Sequence, residues 1–510
     1  MRIINTAELT PAITKTLSAD TVHHIYNGLD VTVTLEICNE LLSQLDNTTS
    51  NTYEFSKSLQ GPILEMSMRG IKVDQRRKAE VLAKYKAQIK IISEQLNEII
   101  KEGIGLDLNW RSPAQLKKLF YEVLGLPEVK KRNANGVWAA TVDRDALEHL
   151  DQYMMAEPLC IRLLMLRDLA KKIEFLETKI DPDNRMRCNF NIAGTNTGRL
   201  ASSASDFGTG RNMQNVDREE RAVFIADEGM KFANLDLEQA DARNVGAICW
   251  NNFVSNHGEA FAGSYLSACE SGDLHTTTCK LAWPSLGWTG EAKADKSVAE
   301  AIAYRQDSYR QLAKKLGHGT NYYGTPRTMA KHTKVPTKQI ETFQAAYFKG
   351  YPCIQEWHRW VKAELKESSQ LTTLFGRRRT FFGRSYEDTT LREAIAYSPQ
   401  SMTADQIDTG LIRLFKANRV HLLLQVHDSI LIQFPEEQED EILPWAMEQL
   451  KVHIPLAKGR DFHVPVDAKV GWNWGEFNEK TNVDGLIKWK GHDSRKRTPP
   501  HKKLSVVSLF

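Results

Sequence analysis

"LLLQVHDSILIQF", Leu422 to Phe434, sets a bare His427-Asp428 pair inside an apolar, strand-like run. β-prone residues on both sides of a short polar centre predict two strands joined by a tight turn, with Asp as an ordinary turn residue. A second reading gives the charge a chemical task, and it requires another acid at the same place. "KFANLDLEQADARNVGAICW", Lys231 to Trp250, reads as a buried strand running into a helix with Asp236 at the junction. Asp236 and Asp428 each close a β-type run, which can set both carboxylates on one face of one sheet. Such a pair can hold two Mg²⁺ ions roughly 4 Å apart, activating an attacking hydroxyl and stabilising a departing pyrophosphate. With 64 acids in the chain, pairs of this kind are numerous, so a third element has to decide.

That element is helical. In "YRQLAKKLGHGTNYYGTPRTMA" the residues Arg310, Lys314, His318 and Tyr322 recur every four positions and share one helix face. Two readings stand: a solvated cationic face, or a row in which Arg and Lys meet phosphates while His and Tyr offer flat surfaces to a sugar and base.

The 510 residues suffice for roughly three domains with cores of their own. Lys plus Arg number 67 against 64 for Asp plus Glu, so the net charge of +3 names no acidic partner by itself. Its distribution is uneven: from Lys480 to Phe510 there are eight basic residues and two acids, which leaves the remainder at −3. Any grip on nucleic acid in the body must therefore come from local patches. Seven scattered cysteines without a CxxC fit reduced thiols rather than a disulfide framework or a zinc site. An amino end without an apolar core segment, and no run of 18 apolar residues, argue against secretion and membrane spanning, so the expected location is the cytoplasm.

Residues 53–179 read as mainly helical, with a long amphipathic segment "RRKAEVLAKYKAQIKIISEQLNEIIKE" and a second helix opened by Ser112 and stopped near Gly125. Residues 189–215 read as a loop carrying Arg199 and Arg211. Helix dominates to about Glu367, strands return at "LTTLFGRRRTFF", and "VPVDAKVGWNWGEF" is the last packed-looking segment. Beyond Phe477 the basic, Pro-containing composition predicts a flexible tail.

Together these residues resemble the family A DNA polymerases, the bacterial DNA polymerase I type with its phage members, from about Gln60 to Gly475. "GPILEMSMRGIKVD" and "NWRSPAQLKKLFYEVLGLP" are similar to that family's opening and thumb-proximal segments, and "TNTGRLASS" with "NMQNV" to its primer-template pair. "DLEQADAR" stands at motif A, "GDLHTTT" matches its DIHxxTA segment, the Arg310–Tyr322 helix matches motif B, and "QVHDS" matches motif C. "TLFGRRR" and "REAIAYSPQSMTAD" complete the series in the family's order.

The resemblance implies an α+β right hand: an antiparallel palm sheet with mainly helical fingers and thumb. Residues 1–50 would be the end of an exonuclease domain, 51–185 the polymerase start and thumb, 186–245 and 370–477 the palm, 246–369 the fingers and 478–510 a basic tail. It implies DNA-directed DNA synthesis with Asp236, Asp428 and the Leu237 carbonyl on two Mg²⁺ ions. Gln239, Asp241, His275, Arg310, Lys314, His318 and Tyr322 would meet the deoxynucleoside triphosphate. Arg199, Gln214, Asn215, Arg392, Gln400 and His427 would meet primer-template DNA. Rivals are a single-subunit RNA polymerase, disfavoured by the TGRLSS-like and GRRR-like segments, and a non-catalytic DNA-binding accessory protein, disfavoured by the intact acid pair.

Four positions depart from the family pattern. Asp241 stands for a Glu whose bulk bars a ribose 2′-hydroxyl, which predicts weaker sugar discrimination. His318 replaces Phe or Tyr, Ser429 replaces the Glu after the motif C Asp, and Ala396 replaces a template-side Asn. At the amino end, "YNGLDVTVTLEI" is similar to the last proofreading exonuclease motif through Tyr26 and Asp30, yet two-metal hydrolysis needs further acids and only 25 residues precede Tyr26. The readings are a leftover helix bracing the palm, or a site completed by a separate exonuclease polypeptide; either way, no proofreading is expected from this chain alone. At the other end, "VVSLF" resembles the bacterial sliding-clamp peptide, with Ser508, Leu509 and Phe510 as its core; a plain DNA-hugging tail is the alternative. The short chain and its departures suggest phage DNA replication.

Overall fold

The computed structural model describes residues 10–133 and 136–497; Ser508, Leu509 and Phe510 lie outside the described residues. Its centre is a five-stranded antiparallel sheet in the order His421–Val426, Ser429–Pro435, Met230–Leu237, Val466–Gly471, Ile487–Lys488. Phe232, Ala233, Leu235 and Leu237 of the middle strand are all 1% exposed or less. Each large side chain buried in this way contributes about 2 kcal/mol, which fixes the strand's register. Helices Asp388–Ala417 and Glu439–Leu450 pack together and against the sheet. Asn234, Asp236 and Asp467 are only partly buried.

The turn reading of the opening stretch holds. His421–Val426 and Ser429–Pro435 are a hairpin, and His427-Asp428 is its two-residue turn. His427 takes the left-handed conformation at φ 57°, which short hairpin turns require. The sheet register then sets Ser429 opposite Asp236, and the Leu237 N–H donates to the Asp428 carbonyl at 3.0 Å.

The amphipathic run forms the helix Gln75–Ile104, opened by the Asp74 side chain and stopped by Gly105 at φ 74°. With Glu157–Leu176 it builds a separate core around Leu96, Ile100, Phe120, Leu147 and Leu163. Ser112 caps the next short helix as its sequence predicts, a π-turn follows over Lys118–Val123, and Gly125 leaves it at φ 61°. Between Ala240 and Glu367 the chain is almost wholly helical around buried Tyr265, Tyr347, Tyr351 and Trp357.

Three expectations are corrected. The 189–215 loop contains a hairpin of Cys188–Asn191 with Ala201–Ala204: Cys188 and Phe190 alternate with asparagines over only four residues, and Ala-Ser-Ser-Ala opposite carries no strand pattern. The flexible tail does not begin at residue 478. Ile487–Lys488 extends the sheet, and Arg495 donates to the carbonyls of Val470 at 2.9 Å, Val483 at 3.1 Å and Gly485 at 2.9 Å. Lys231 is buried between Glu439 at 2.6 Å and Asp493 at 2.9 Å. Basic composition signals solvation only until the charges find buried partners. Finally, the helix Ala19–Ser43 with Tyr26 and Asp30 does not brace the palm, since none of its residues is buried. Its apolar side chains, Tyr26, Val31, Leu35 and Leu41 among them, are spread around the helix and form no single packing face. Among the described residues, no helix is long and apolar enough to cross a membrane.

Candidate active site

Asp236 ends the middle strand and Asp428 fills the adjoining hairpin turn, so backbone hydrogen bonding alone brings them to one edge of the sheet. Both line a cleft of about 1060 Å³, together with Leu237, Gln239, Asp241, His275, Lys314, His318 and Tyr322. Burial, then the neighbouring Asp428 carboxylate, pushes Asp236 up to about 7. Burial also raises Asp428, with Asp241 adding to the rise. Asp467 faces Asp236 across the next strand, and burial and a hydrogen bond shared with Asp467 raise Glu238. Buried carboxylates crowded by further acids form an all-oxygen donor set suited to hard divalent cations. Ser429 takes no part: its hydroxyl donates to the Val426 carbonyl at 3.0 Å and closes the turn.

The helix Tyr309–Asn321 is opened by a capping box between Ser308 and Gln311. That start sets Arg310, Lys314 and His318 in one row; Tyr322 follows as the C-cap, and its ring meets His318 edge-on at 4.6 Å between centroids. Lys314 and His318 reach the cleft, whereas Arg310 stands beside it with its guanidinium on Asp273 at 3.0 and 3.2 Å. Burial, then Arg310, holds the His275 imidazole down at about 4, so it stays neutral across the physiological range.

Asp241 begins the helix that follows Asp236 and is held from three sides. Thr403 Oγ1 donates to it at 2.7 Å, Tyr322 Oη at 3.0 Å and Arg199 Nη2 at 3.1 Å. Arg199 thus reaches the acid of the cleft, and Gln400 lies against the Tyr322 hydroxyl. Gln214 reaches from the neighbouring loop to Gln425 at 3.0 Å, while the Gln425 amide donates to the His427 carbonyl at 2.6 Å. Asn215 and His427 are exposed, and Arg392 pairs loosely with Asp388 at 3.5 Å. Gln239 adopts φ 53° between strand and helix, and its Oε1 is buried without a partner, a polar atom left for a ligand to satisfy.

Two residues of this constellation escaped the sequence reading. Asp273 caps the helix Leu274–Ala282 and anchors Arg310; an Asp ahead of an apolar helical run is a cap signal, but nothing local ties it to a residue 37 positions on. Thr403 lies deep in the helix Asp388–Ala417 and shows its role only once Asp241 faces it.

The model of the family described as DNA polymerase family A matches residues 79–476. The chain belongs to that family. Over 453 residues this family A chain is 26% identical to the thermostable DNA polymerase I of Thermus filiformis, covering 84% of itself and 48% of that protein. Over 466 residues it is 27% identical to DNA polymerase I of Deinococcus radiodurans, covering 87% of itself and 44% of that protein. The family A chain therefore spans about half the length of these relatives. Its fold is that of the POL domain of Pol1 from M. smegmatis, solved in complex with DNA primer-template and dNTP. The TM-score is 0.63 at 22% identity, over 82% of this chain and 69% of that one. The five-stranded sheet is accordingly the palm of an α+β right-hand fold.

Proposed function

We propose that the chain carries out template-directed DNA synthesis. The primer 3′-oxygen attacks the α-phosphorus of a deoxynucleoside triphosphate, the bond to the bridging oxygen breaks, and pyrophosphate leaves. The observation that carries this reading is the delivery of Asp236, from the middle strand, and Asp428, from the turn of the hairpin beside it, into the one cleft that also receives Lys314, His318 and Tyr322.

Asp236, Asp428 and the Leu237 carbonyl would hold two Mg²⁺ ions. When bound, the ions supply a more acidic 3′-hydroxyl and neutralise charge on the triphosphate. The chain's own residues position the reactants. The Lys314 ammonium meets the triphosphate as a point charge, and Arg310, set by Asp273, flanks it with a guanidinium fork. Neutral His275 offers a hydrogen bond without adding charge. Tyr322 and His318 present ring surfaces where a base and sugar lie, and Gln239 and Asp241 close the sugar side. Arg199, Gln214, Asn215, Arg392, Gln400 and His427 would then contact primer or template.

We also read the role as replicative, of the phage type, in a host cytoplasm. The sliding-clamp peptide and a separate exonuclease polypeptide belong to the same proposal. Primer extension tests the core of it: Asp428→Ala should reduce incorporation by at least about 10³-fold while primer-template affinity holds. Ribonucleotide-only extension by the unaltered chain would favour an RNA polymerase, and undiminished extension by Asp428→Ala would overturn the assignment.

A further inference from the structure

Away from the cleft, the hairpin of Ile454–Pro455 with Asp461–Phe462 carries an arrangement the polymerase reaction does not use. His453 and His463 flank the paired residues Ile454 and Phe462 on neighbouring strands, with ring centroids 5.0 Å apart. His453 Nδ1 lies 2.6 Å from Asp461 Oδ2. One ligand atom from each of His453, Asp461 and His463 falls within 4.8 Å of the other two, and all three residues are exposed. None of them lines the cleft. The Glu448 carboxylate, held first by Lys451, is within electrostatic reach of both imidazoles.

We propose that His453, His463 and Asp461 form a binding site for a borderline divalent transition ion of the Zn²⁺ or Ni²⁺ class. Two imidazoles and a carboxylate are the donors such ions prefer, whereas Mg²⁺ takes oxygen ligands and keeps its waters. Donor atoms on Zn²⁺–ligand bonds of about 2.1 Å sit roughly 3.4 Å apart, so the His453–Asp461 hydrogen bond opens as the ion enters, and exposed side chains can rotate to allow it. The backbone beneath them is fixed. The Leu456 N–H donates to the Arg460 carbonyl at 2.8 Å, Trp250 Nε1 donates to the Ala457 carbonyl at 3.0 Å, and the Ala457 N–H donates to Asn251 Oδ1 at 3.1 Å. The first bond closes the hairpin loop, and the bonds from Trp250 and to Asn251 fasten it to the helix Ala240–His257, whose first turn carries Asp241. A bound ion joins the two strands at the open end of that hairpin.

Calorimetric titration of the untagged full chain with Zn²⁺, in a large excess of Mg²⁺ that occupies the palm carboxylates, tests the site. The expected result is one equivalent of Zn²⁺ bound, with affinity lowered roughly tenfold or more by His453→Ala and by His463→Ala. Asp428→Asn leaves this binding unchanged, and both His variants retain primer extension, which certifies their fold; His463→Gln serves if His463→Ala is unstable. With Cu²⁺ as a second probe, electron paramagnetic resonance should show two nitrogen ligands in the unaltered chain and one in either His variant. Absence of Zn²⁺ binding, unchanged affinity in the His variants, or loss of it in Asp428→Asn overturns the proposal.

Discussion

Thr403 donates from Oγ1 to Asp241 Oδ1 at 2.7 Å, joining the long palm helix to the residue that the family resemblance assigns to sugar selection. Thr403 also accepts from Asn244 Nδ2 at 3.0 Å, so its hydroxyl is oriented from behind. Thr403→Val keeps the volume and removes the bond, leaving Arg199 and Tyr322 as the remaining anchors of Asp241. The variant is expected to lose about 1 kcal/mol of stability and to accept ribonucleotides roughly fivefold better relative to deoxynucleotides. The ratio of kcat/KM for the two sugars checks this, and an unchanged ratio would detach Thr403 from selectivity.

Arg310 depends on Asp273 for its position. Asp273→Ala leaves the guanidinium without its fork partner and the helix Leu274–Ala282 without its cap. A rise in KM for the incoming nucleotide of about tenfold is expected, equivalent to about 1.4 kcal/mol, from steady-state single-nucleotide incorporation. An unaltered KM would show that Arg310 finds the triphosphate unaided.

The buried cluster of Lys231, Glu439 and Asp493 packs the segment around Asp493 against the central sheet. Although burial opposes its charge, Arg495 and Lys231 hold Asp493 at about 2. Asp493→Ala should therefore cost roughly 3 kcal/mol in urea unfolding, because it leaves Lys231 and Arg495 short of a partner. A loss under about 0.5 kcal/mol is what a surface tail would give.

Burial holds His358 at about 4, with its Nε2 2.8 Å from the Asn321 carbonyl, and the residue is 6% exposed. An unfolded histidine titrates near 6.5, so the unfolded state takes up the proton first as pH falls. This contribution is complete above about pH 6.5 and shrinks toward pH 4, by on the order of 2 kcal/mol between about pH 7 and pH 5. His275, pushed to about 4 by burial and then Arg310, acts in the same direction. Denaturant midpoints of the unaltered chain and of His358→Gln at the two pH values check it: the difference between the two proteins should narrow at the lower pH.

The sequence made the palm readable because its signals are local. Asp236 at a strand-to-helix junction and Asp428 between two β-prone runs are visible within twenty residues, and hydrogen-bonded register does the rest. The Arg310 row was legible from its four-residue period, and Ser308 and Gln311 mark its start. What remained hidden depends on partners far apart in the chain. Arg199 on Asp241, Thr403 on the same carboxylate and Asp273 under Arg310 are separated by 42, 162 and 37 positions. The packed segment 478–497 was hidden for a related reason, since its cations are neutralised by carbonyls and acids that composition does not reveal.

The central claim is that Asp236 and Asp428 act as one cation-binding unit. Counting Mn²⁺ ions by electron paramagnetic resonance, with primer-template and a non-hydrolysable deoxynucleotide bound, addresses it most directly. Two ions per chain in the unaltered protein, and the loss of at least one in both Asp236→Asn and Asp428→Asn, is the predicted result. Two ions retained in either variant would contradict the account.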